Sequence, residues 1–369
     1  MVLEQGVWII SSRVSVPKYV HLQNELRRMM VQGELLPAGR IPSENELCRI
    51  YGISILTARR ALADLVYSGE IIRIRGKGSF VAPVKKEKSP VKPASSSIIS
   101  LILLSYEPSD SSIIDIIKGA QDYISTHGYS MTIECSNRDV QKEAEIIDKC
   151  IRNGVDGILM FSTDPDGNRA KLAAISSSGI PMVMLDRSAE GFPCTLVCSY
   201  HMDGMYRITR YLIQKGHSKI AFITADIFTS VHAERLAGYK VALEQNSIPF
   251  REDFCLLNKE FDFSILESLI KNHSITAVAC INDSVGIKVK DYLLEREFRV
   301  PEDVSVTGFD DNESSRYADL TTVKQRFQEI GETGAQKLLE QIRDGSGCSR
   351  VFFPVELVIR GSSGEAPFF

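Results

Sequence analysis

The chain has few of the residues that build metal, redox or catalytic sites. Among its 369 residues are six histidines, and its eight cysteines form no CxxC pair or His/Cys group at metal-ligand spacing. Nucleophile motifs such as GxSxG are also missing. We therefore predict no enzyme activity, no catalytic residues and no bound metal or cofactor. Free thiols are expected at Cys48, Cys135, Cys150, Cys194, Cys198, Cys255, Cys280 and Cys348.

Long apolar runs are missing as well. None approaches the roughly 18 residues that a membrane helix needs, and the first residues, MVLEQGVWIISSRV, lack the pattern of a signal peptide. With 44% apolar and 24% charged residues, the chain has the composition of a folded protein with two or three compact units. We expect a cytoplasmic protein.

The charges are unevenly distributed along the chain. Residues 1–97 contain 15 Lys/Arg against 8 Asp/Glu, a net charge of +7, whereas the remainder contains 28 against 39, a net charge of −11. This split indicates a polyanion-binding head on a body with a separate task, although a basic solvated face would give the same count. Between the two parts, residues 84–97 (VKKEKSPVKPASSS) have the Lys, Pro and Ser content of a linker.

The basic head has the pattern of a helix-turn-helix. Apolar residues at helical spacing from Tyr19 to Met30 predict a first helix, and SENE at residues 43–46 is a capping box that begins a second. Ser54 caps a third helix that runs to about Val66 after a short turn. Outside the apolar stripe of this helix, near its start, lie Leu56, Thr57, Arg59 and Arg60. Recognition helices contact DNA with residues placed in this way.

The stretch RIRGKGSF at residues 73–80 has two interpretations. Its GxG spacing occurs in loops that hold nucleotide phosphates, but such a loop has a third glycine and precedes a helix, and here Val81 and a short strand follow. The alternative is a hairpin. Isoleucine and arginine alternate over residues 72–75, which predicts an apolar strand face at Ile72 and Ile74 and a cationic face opposite. We favour the hairpin, which would be the wing of a winged helix with a positive tip.

Residues 41–81, IPSENELCRIYGISILTARRALADLVYSGEIIRIRGKGSFV, resemble the winged-helix domain of GntR-family transcriptional regulators. The resemblance implies that the domain, residues 16–83, binds DNA. The residues marked for DNA contact, with the basic side chains beside them, are Ser43, Ser54, Leu56, Thr57, Arg59, Arg60, Arg73, Arg75, Gly76 and Lys77. Asn45 and Ile55 stand where the family commonly has arginine, so no operator sequence is transferred.

The acidic body alternates β-rich and helical segments. The β-rich segments are residues 97–105, 130–135, 155–161, 181–186, 219–224, 275–281 and 304–310, and the helical stretches include 113–126 and 141–153. This alternation predicts parallel, doubly wound sheets whose ligands bind beyond the carboxyl ends of the strands. The length is sufficient for two lobes.

Polar residues follow several of these strands. They are Asp186, Asp283, Asp310, Arg235 and Gln325. Carboxylates and a guanidinium group that converge in a cleft suit a sugar, because each hydroxyl can both donate and accept hydrogen bonds. An aromatic side chain, Phe327 or Tyr106, would cover the apolar face of the ring.

Six motifs within residues 98–362, among them GIPMVMLDR, ERLAGY and INDSVGIKV, resemble the LacI/GalR effector domain, which has the fold of periplasmic sugar-binding proteins. The resemblance implies an effector-binding cleft between two lobes. With the aromatic candidates added, its residues are Tyr106, Asp186, Arg235, Asp283, Gln325 and Phe327. Asp319 stands where the family usually has proline.

The predicted fold class is therefore α/β: a small N-terminal winged helix-turn-helix domain, then a two-lobed doubly wound parallel-sheet domain like the periplasmic binding proteins. A GntR-type head on a LacI-type body is the arrangement of the arabinose-repressor family. That resemblance implies a homodimeric repressor that binds a palindromic operator and is released by a small sugar, with a pentose such as arabinose favoured. The alternative function is a cytoplasmic or exported sugar receptor without a DNA-regulatory role.

Overall fold

The computed structural model describes residues 18–31, 35, 39–67, 70–74, 78–81, 98–105, 111–224, 229–257, 263–272 and 275–367. The chain divides into two compact units, Met1–Lys85 and Lys86–Phe369. The predicted linker at residues 84–97 lies outside the described residues, so the linker and the domain boundaries that it sets stay predictions. Within the described ranges no helix is long and apolar enough to cross a membrane.

The first unit contains three helices and a hairpin. They are α1 (Lys18–Val31), α2 (Glu44–Tyr51), α3 (Ile55–Tyr67), β1 (Ile71–Ile74) and β2 (Gly78–Val81). The predicted capping box at the start of α2 is confirmed, because the Ser43 amide donates to Glu46 Oε2 at 2.7 Å and the Glu46 amide donates to Ser43 Oγ at 3.3 Å. Gly52 ends α2 in the left-handed region, with φ of 60°. This turn and the hairpin give the winged-helix arrangement.

The predicted faces of the hairpin were wrong. β1 pairs antiparallel with β2, with Ile71 opposite Val81, and these two side chains are buried in the core of the unit. Ile72, on the other face, is 41% exposed. The alternation correctly indicated two faces, but the face that packs against the helices is that of Ile71, which also carries Arg73.

The second unit contains the remaining helices and strands. In chain order they are β3 (Ile98–Leu103), α4 (Ser111–Thr126), β4 (Ser130–Cys135), α5 (Val140–Asn153), β5 (Gly157–Phe161), α6 (Arg169–Ser178), β6 (Met182–Leu185), β7 (Thr195–Ser199), α7 (His201–Gln214), β8 (Ile220–Thr224), α8 (Ser230–Gln245), a 3₁₀ turn (Glu252–Phe254), β9 (Cys255–Leu257), α9 (Ser264–Lys271), β10 (Ala277–Cys280), α10 (Asp283–Glu295), β11 (Ser305–Thr307), α11 (Glu313–Tyr317), β12 (Thr322–Lys324), α12 (Phe327–Asp344), β13 (Arg350–Phe353) and β14 (Glu356–Val358).

These elements build two lobes around two parallel sheets. The first lobe has the six-stranded sheet β13-β7-β6-β5-β3-β4, and the second has the four-stranded sheet β11-β10-β8-β9. The chain passes between the lobes at Tyr200, at residues 325–326 and at residues 354–355, which we call the crossover segments. The predicted doubly wound architecture is confirmed.

Helices cover both faces of the six-stranded sheet. Along β3, Leu101 and Leu103 belong to one apolar cluster and Ile102 belongs to another. A strand buried on both faces has a continuous apolar sequence instead of an alternating one, which is why IISLIL has no polar face. The carboxyl ends of the strands in each lobe are left for ligand contacts.

Helices α4 and α12 cross with their backbones in contact. A Cβ built on Gly119 would lie 2.0 Å from the Gln328 carbonyl oxygen, and one built on Gly331 would lie 2.2 Å from the Ile116 carbonyl oxygen. Helices α7 and α8 meet in the same way, since a Cβ on Gly238 would lie 2.2 Å from the Met202 carbonyl oxygen. Each lobe therefore has a rigid helix pair behind its cleft residues.

Candidate functional site

In the first unit, two of the predicted DNA-contacting arginines share one carboxylate. Glu44, in the first turn of α2, lies 3.3 Å from Arg59 Nη2 of α3 through its Oε2 atom, and its Oε1 atom contacts Arg73 Nη2 of β1. Burial raises the pKa of Glu44, but hydrogen bonds from Arg73 and Arg59 outweigh it and hold the pKa below its usual range. Helix α3 and the wing are thus joined by an ionised Glu44, with both guanidinium groups still exposed.

The other predicted DNA-contacting residues differ in their exposure and in the groups that they contact. Leu56 is 70% exposed at the start of the helix, and the Thr57 hydroxyl lies 2.8 Å from Ser54 Oγ. The guanidinium group of Arg60 lies over the ring of Tyr19 in α1, 4.2 Å from its centroid. Ser43 is engaged in the capping box. The predicted tip residues Arg75, Gly76 and Lys77 lie outside the described residues.

In the second unit, a row of charged and polar side chains, which we call the charged chain, connects the two lobes. Arg235 of α8 is buried; its Nη2 atom lies 3.2 Å from Asp310 Oδ1 and 3.2 Å from His201 Nδ1. The Nε2 atom of His201 lies 3.0 Å from Asp186 Oδ1 of the first lobe. At the other end, Gln325 Nε2 donates to Asp310 Oδ1 at 2.7 Å. Three of the predicted residues, Asp186, Arg235 and Gln325, are therefore brought together.

Backbone and ring contacts fix this arrangement. Arg235 Nη1 donates to the Ile281 carbonyl oxygen at 2.5 Å, and its guanidinium group lies 3.7 Å from the centroid of the Phe309 ring. Asp186 directly follows β6, and Asp310 lies shortly after β11. Their φ angles are 62° and 123°. Side chains other than glycine rarely adopt these values, and such strain is concentrated at functional sites.

The charges set the ionisation of the cleft. Burial raises the pKa of Asp186, but the neighbouring His201, Arg235 and Arg187 outweigh it, and the pKa lies below its usual range. His232 of α8 is held neutral, because burial and then Arg187 and Arg235 lower its pKa to about 3. At neutral pH the cleft thus presents an ionised carboxylate beside guanidinium groups.

Several buried polar atoms around this chain have no hydrogen-bond partner within the part of the protein that the structure describes. They include Ser105 Oγ, Ser199 Oγ and Thr224 Oγ1 at or near the carboxyl ends of β3, β7 and β8, with Arg187 Nε, Arg235 Nε and Gln325 Oε1. Asp186 Oδ1 and His201 Nε2 also have none, because their 3.0 Å contact does not have the geometry of a hydrogen bond. A buried polar atom without a partner costs about 1–3 kcal/mol. Their positions at strand ends of both lobes match the place where a polar ligand binds in this architecture.

Two predicted effector residues face the protein instead of the cleft. Asp283 is 0% exposed: its Oδ2 accepts from the Asn312 amide at 2.9 Å and its Oδ1 accepts from Thr322 Oγ1 at 2.5 Å. Burial, and then the nearby Asp310, raise the pKa of Asp283 above its usual range. Phe327 is buried in an apolar cluster of the first lobe. Tyr106 lies outside the described residues.

Sequence reasoning missed His201, Arg187 and Phe309. His201 begins α7 two residues after the end of β7, a strand that was not predicted, so nothing placed it at a strand end. Arg187 follows Asp186, and its Nη1 atom donates to the Thr163 carbonyl oxygen at 3.1 Å. The signal for Arg187 was present, since it is the next residue after a predicted site residue in VMLDR.

Comparison with known proteins agrees with both parts of this geometry. The gntR family of bacterial regulatory proteins matches residues 18–81, and the periplasmic binding protein-like domain matches residues 209–363. The arabinose metabolism transcriptional repressor of Halalkalibacterium halodurans is 29% identical over 369 residues, which cover 95% of this chain and 97% of the relative. The HTH-type transcriptional repressor PurR of Vibrio atlanticus is 31% identical over 244 residues, 64% of this chain and 73% of the relative.

The chain belongs to this family of bacterial transcriptional repressors. Its fold is shared with the crystal structure of the transcription regulator CcpA of Lactococcus lactis, at a TM-score of 0.66 and 21% identity over 73% of this chain and 99% of that one. The predicted pair of a GntR-type winged helix and a periplasmic-binding-protein-like effector domain is thereby confirmed. These relatives are repressors, and no enzyme family is indicated.

Proposed function

We propose that this repressor binds operator DNA through its winged helix and is released when a monosaccharide, with a pentose such as arabinose favoured, binds between the lobes of the second unit. The chain of Asp186, His201, Arg235, Asp310 and Gln325 is the observation that carries the proposal. Polar donors and acceptors in alternation, among them two carboxylates and a guanidinium group, suit vicinal hydroxyl groups, because each hydroxyl can donate to a carboxylate and accept from an N–H group. The full-length relative named for arabinose metabolism supports the choice of sugar.

The proposed sugar contacts are Asp186, Arg235 and Gln325 from the sequence, joined by His201 and Arg187 from the geometry. Asp283 and Phe327 would support the cleft from behind without contacting the sugar, because both are buried against protein. For DNA, Arg59, Thr57, Leu56 and Ser54 would face the major groove, and Arg73 with the wing tip would meet the backbone. In this proposal the protein binds and releases the sugar and the operator, and it catalyses no reaction of the sugar.

A homodimer formed through the second units would hold two winged helices at the spacing of a palindromic operator. Sugar would act by favouring one arrangement of the lobes, since a ligand with equal affinity for both arrangements shifts nothing. The alternative function, a sugar receptor without a regulatory role, is disfavoured by the gntR-family match at residues 18–81.

The test separates the two activities. Isothermal titration with arabinose, xylose, ribose and galactose should show binding of one pentose, and the same sugar should release the protein from operator DNA in a gel shift. Arg235→Ala should bind the operator as the wild type does but lose the response to sugar, because the charged chain is broken at its centre. Arg296→Ala, which changes an exposed arginine at the C-cap of α10, is the matched control.

Retention of the wild-type sugar response by Arg235→Ala would contradict the proposed cleft. Failure of every sugar and sugar phosphate to bind the wild type would contradict the proposed effector class. For the head, Arg59→Ala combined with Lys77→Ala should weaken operator binding and flatten its salt dependence, because fewer counterions are released.

A further inference from the structure

Within the described part of the second unit, two hydrogen bonds join the lobes away from the crossover segments. The Glu313 amide of the second lobe donates to Ser111 Oγ of the first at 2.9 Å, and the Ser188 amide of the first lobe donates to Ser230 Oγ of the second at 3.2 Å. In both cases a serine hydroxyl at the first residue of a helix accepts from a backbone amide of the opposite lobe. We call Ser111 and Ser230 the latch serines.

The residues whose amides donate to the latch serines are close in sequence to members of the charged chain. Ser188 follows Asp186 by two residues, and Glu313 follows Asp310 by three. Each bond therefore connects a cleft-lining loop of one lobe to a helix start of the other. Separation of the lobes would break both bonds.

The hydroxyl of Ser230 is not needed to cap its own helix. The residue before it, Thr229, is the N-cap of α8 and exchanges contacts with His232, with Thr229 Oγ1 at 2.9 Å from His232 Nδ1. This leaves the Ser230 hydroxyl for the amide of Ser188. An interlobe role, and not only helix capping, accounts for the serine at this position.

The helices that carry the latch serines are rigidly held. Helix α4, which begins at Ser111, crosses α12 at Gly119 with no room for a side chain, and α8, which begins at Ser230, crosses α7 at Gly238 in the same way. A hydroxyl on such a helix moves with its whole lobe. Each bond therefore reports, and stabilises, the position of one lobe against the other.

We propose that Ser111 and Ser230 are latches that stabilise the lobe arrangement seen here and thereby set the sugar concentration at which the repressor responds, without contacting the sugar. The inference depends on the proposed function, because it assigns a closing role at the same cleft. A ligand that binds only the closed cleft has an apparent affinity scaled by the closed fraction. Each neutral hydrogen bond, at about 1 kcal/mol, corresponds to about a fivefold change in the ratio of closed to open molecules, and to the same change in the closed fraction when that fraction is small.

The experiment compares Ser111→Ala, Ser230→Ala and the double variant with the wild type in the full chain. The matched control is Ser177→Ala, since the exposed Ser177 donates within its own helix to the Ala173 carbonyl oxygen at 2.9 Å. Each latch variant should bind the effector sugar about fivefold more weakly, and the double variant about 25-fold, from the same hydrogen-bond energies. Ser230→Thr, which keeps the hydroxyl, should restore most of the affinity.

Two readouts separate a latch from a sugar contact. Loss of a latch weakens all bound sugars by one factor, so the preference between pentoses stays as in the wild type, and dissociation becomes faster. A fluorescence-transfer pair across the lobes should also show a smaller closed fraction without sugar. Unchanged affinity in the double variant, or a changed preference between pentoses, would overturn the latch. Absence of sugar binding by the wild type would instead overturn the proposed function.

Discussion

Replacement of Asp283 by asparagine tests whether this carboxyl holds the protein together or binds sugar. Its two oxygens accept from the Asn312 amide and the Thr322 hydroxyl, and none of its surface is exposed. An asparagine would keep both contacts, accepting from the amide through Oδ1 and donating through Nδ2 to the threonine oxygen. The two side chains have nearly the same shape, so the packing should not change.

The pH dependence of the free energy of unfolding gives the size of the expected effect. Burial and Asp310 raise the pKa of folded Asp283, whereas in the unfolded chain an aspartate has a pKa of about 3.9. Between these values the folded protein holds a proton that the unfolded chain releases, so this residue makes stability fall as the pH rises. The slope is at most about 1.4 kcal/mol per pH unit, and it vanishes below the unfolded pKa and above the folded one.

Asp283→Asn removes this slope because the amide does not titrate. Relative to the wild type, the free energy of unfolding of the variant should rise from pH 5 to pH 8, by up to about 1.4 kcal/mol per unit. Urea unfolding at four pH values measures it, with Asp291→Asn, an exposed position on the same helix, as control. Sugar affinity should stay within about twofold, the scale of a few tenths of a kcal/mol.

Two outcomes would refute this reasoning. Parallel pH profiles for Asp283→Asn and the wild type would mean that the folded carboxyl is ionised over the whole range. Loss of sugar binding with stability retained would mean that Asp283 reaches the ligand, as the sequence prediction had it, and that the cleft rearranges when sugar binds.

Two further predictions concern the head and the helix packing. Glu44→Gln should raise the affinity for non-operator DNA, because Arg59 and Arg73 lose their shared carboxylate and can contact phosphates. The slope of log affinity against log salt concentration should steepen by up to about 0.9 per added phosphate contact. Gel shifts with Glu25→Gln as control measure this slope, and an unchanged slope would count against the ion pairs. Gly119→Ala should lower the free energy of unfolding by about 1–3 kcal/mol, because its Cβ would lie 2.0 Å from the Gln328 carbonyl oxygen. Gly347→Ala, at a position with open space around it, should leave the free energy of unfolding nearly unchanged. Equal effects at the two sites would contradict the close crossing of α4 and α12.

Local sequence signals predicted the head well. The capping box, the glycine at residue 52 and the apolar stripe of α3 each have a residue-level cause, so the three helices were placed correctly. Which face of β1 is buried was not predictable in the same way. That face depends on where the strand starts relative to the helices, and a shift of one residue exchanges the faces.

In the second unit, the predicted strands were those with long apolar runs. Strands β9, β11, β12 and β14 have only three residues, and of these only β11 lay within a predicted apolar segment. β7 and β13 were also missed: β7 includes Cys198 and ends at Ser199, and β13 begins with Arg350, so neither has the uniform apolar pattern of IISLIL. Short strands depend on pairing with distant residues, which sequence periodicity does not reveal.

The missed strand β7 explains why His201 was missed. His201 takes its place in the charged chain because β7 ends two residues before it, so a prediction without β7 could not bring it near Asp186. Asp283 is the opposite case. It was predicted as a site residue because it follows a predicted strand, but its carboxyl oxygens accept hydrogen bonds from Asn312, in a later loop, and from Thr322, in a strand that was not predicted. Strand order alone does not say whether a polar residue at a strand end meets a ligand or another loop.

The charged chain is built partly on the segments that must bend when the lobes move. His201 begins α7 immediately after the first crossover segment, and Gln325 lies within the second. Asp186 belongs to the first lobe, whereas Arg235 and Asp310 belong to the second, so a sugar that contacts both ends bonds best when the lobes are close. That difference in contacts is the differential affinity that a conformational response requires. The latch serines add to the same closed state without the sugar, so the sugar supplies only the remaining free energy of closure.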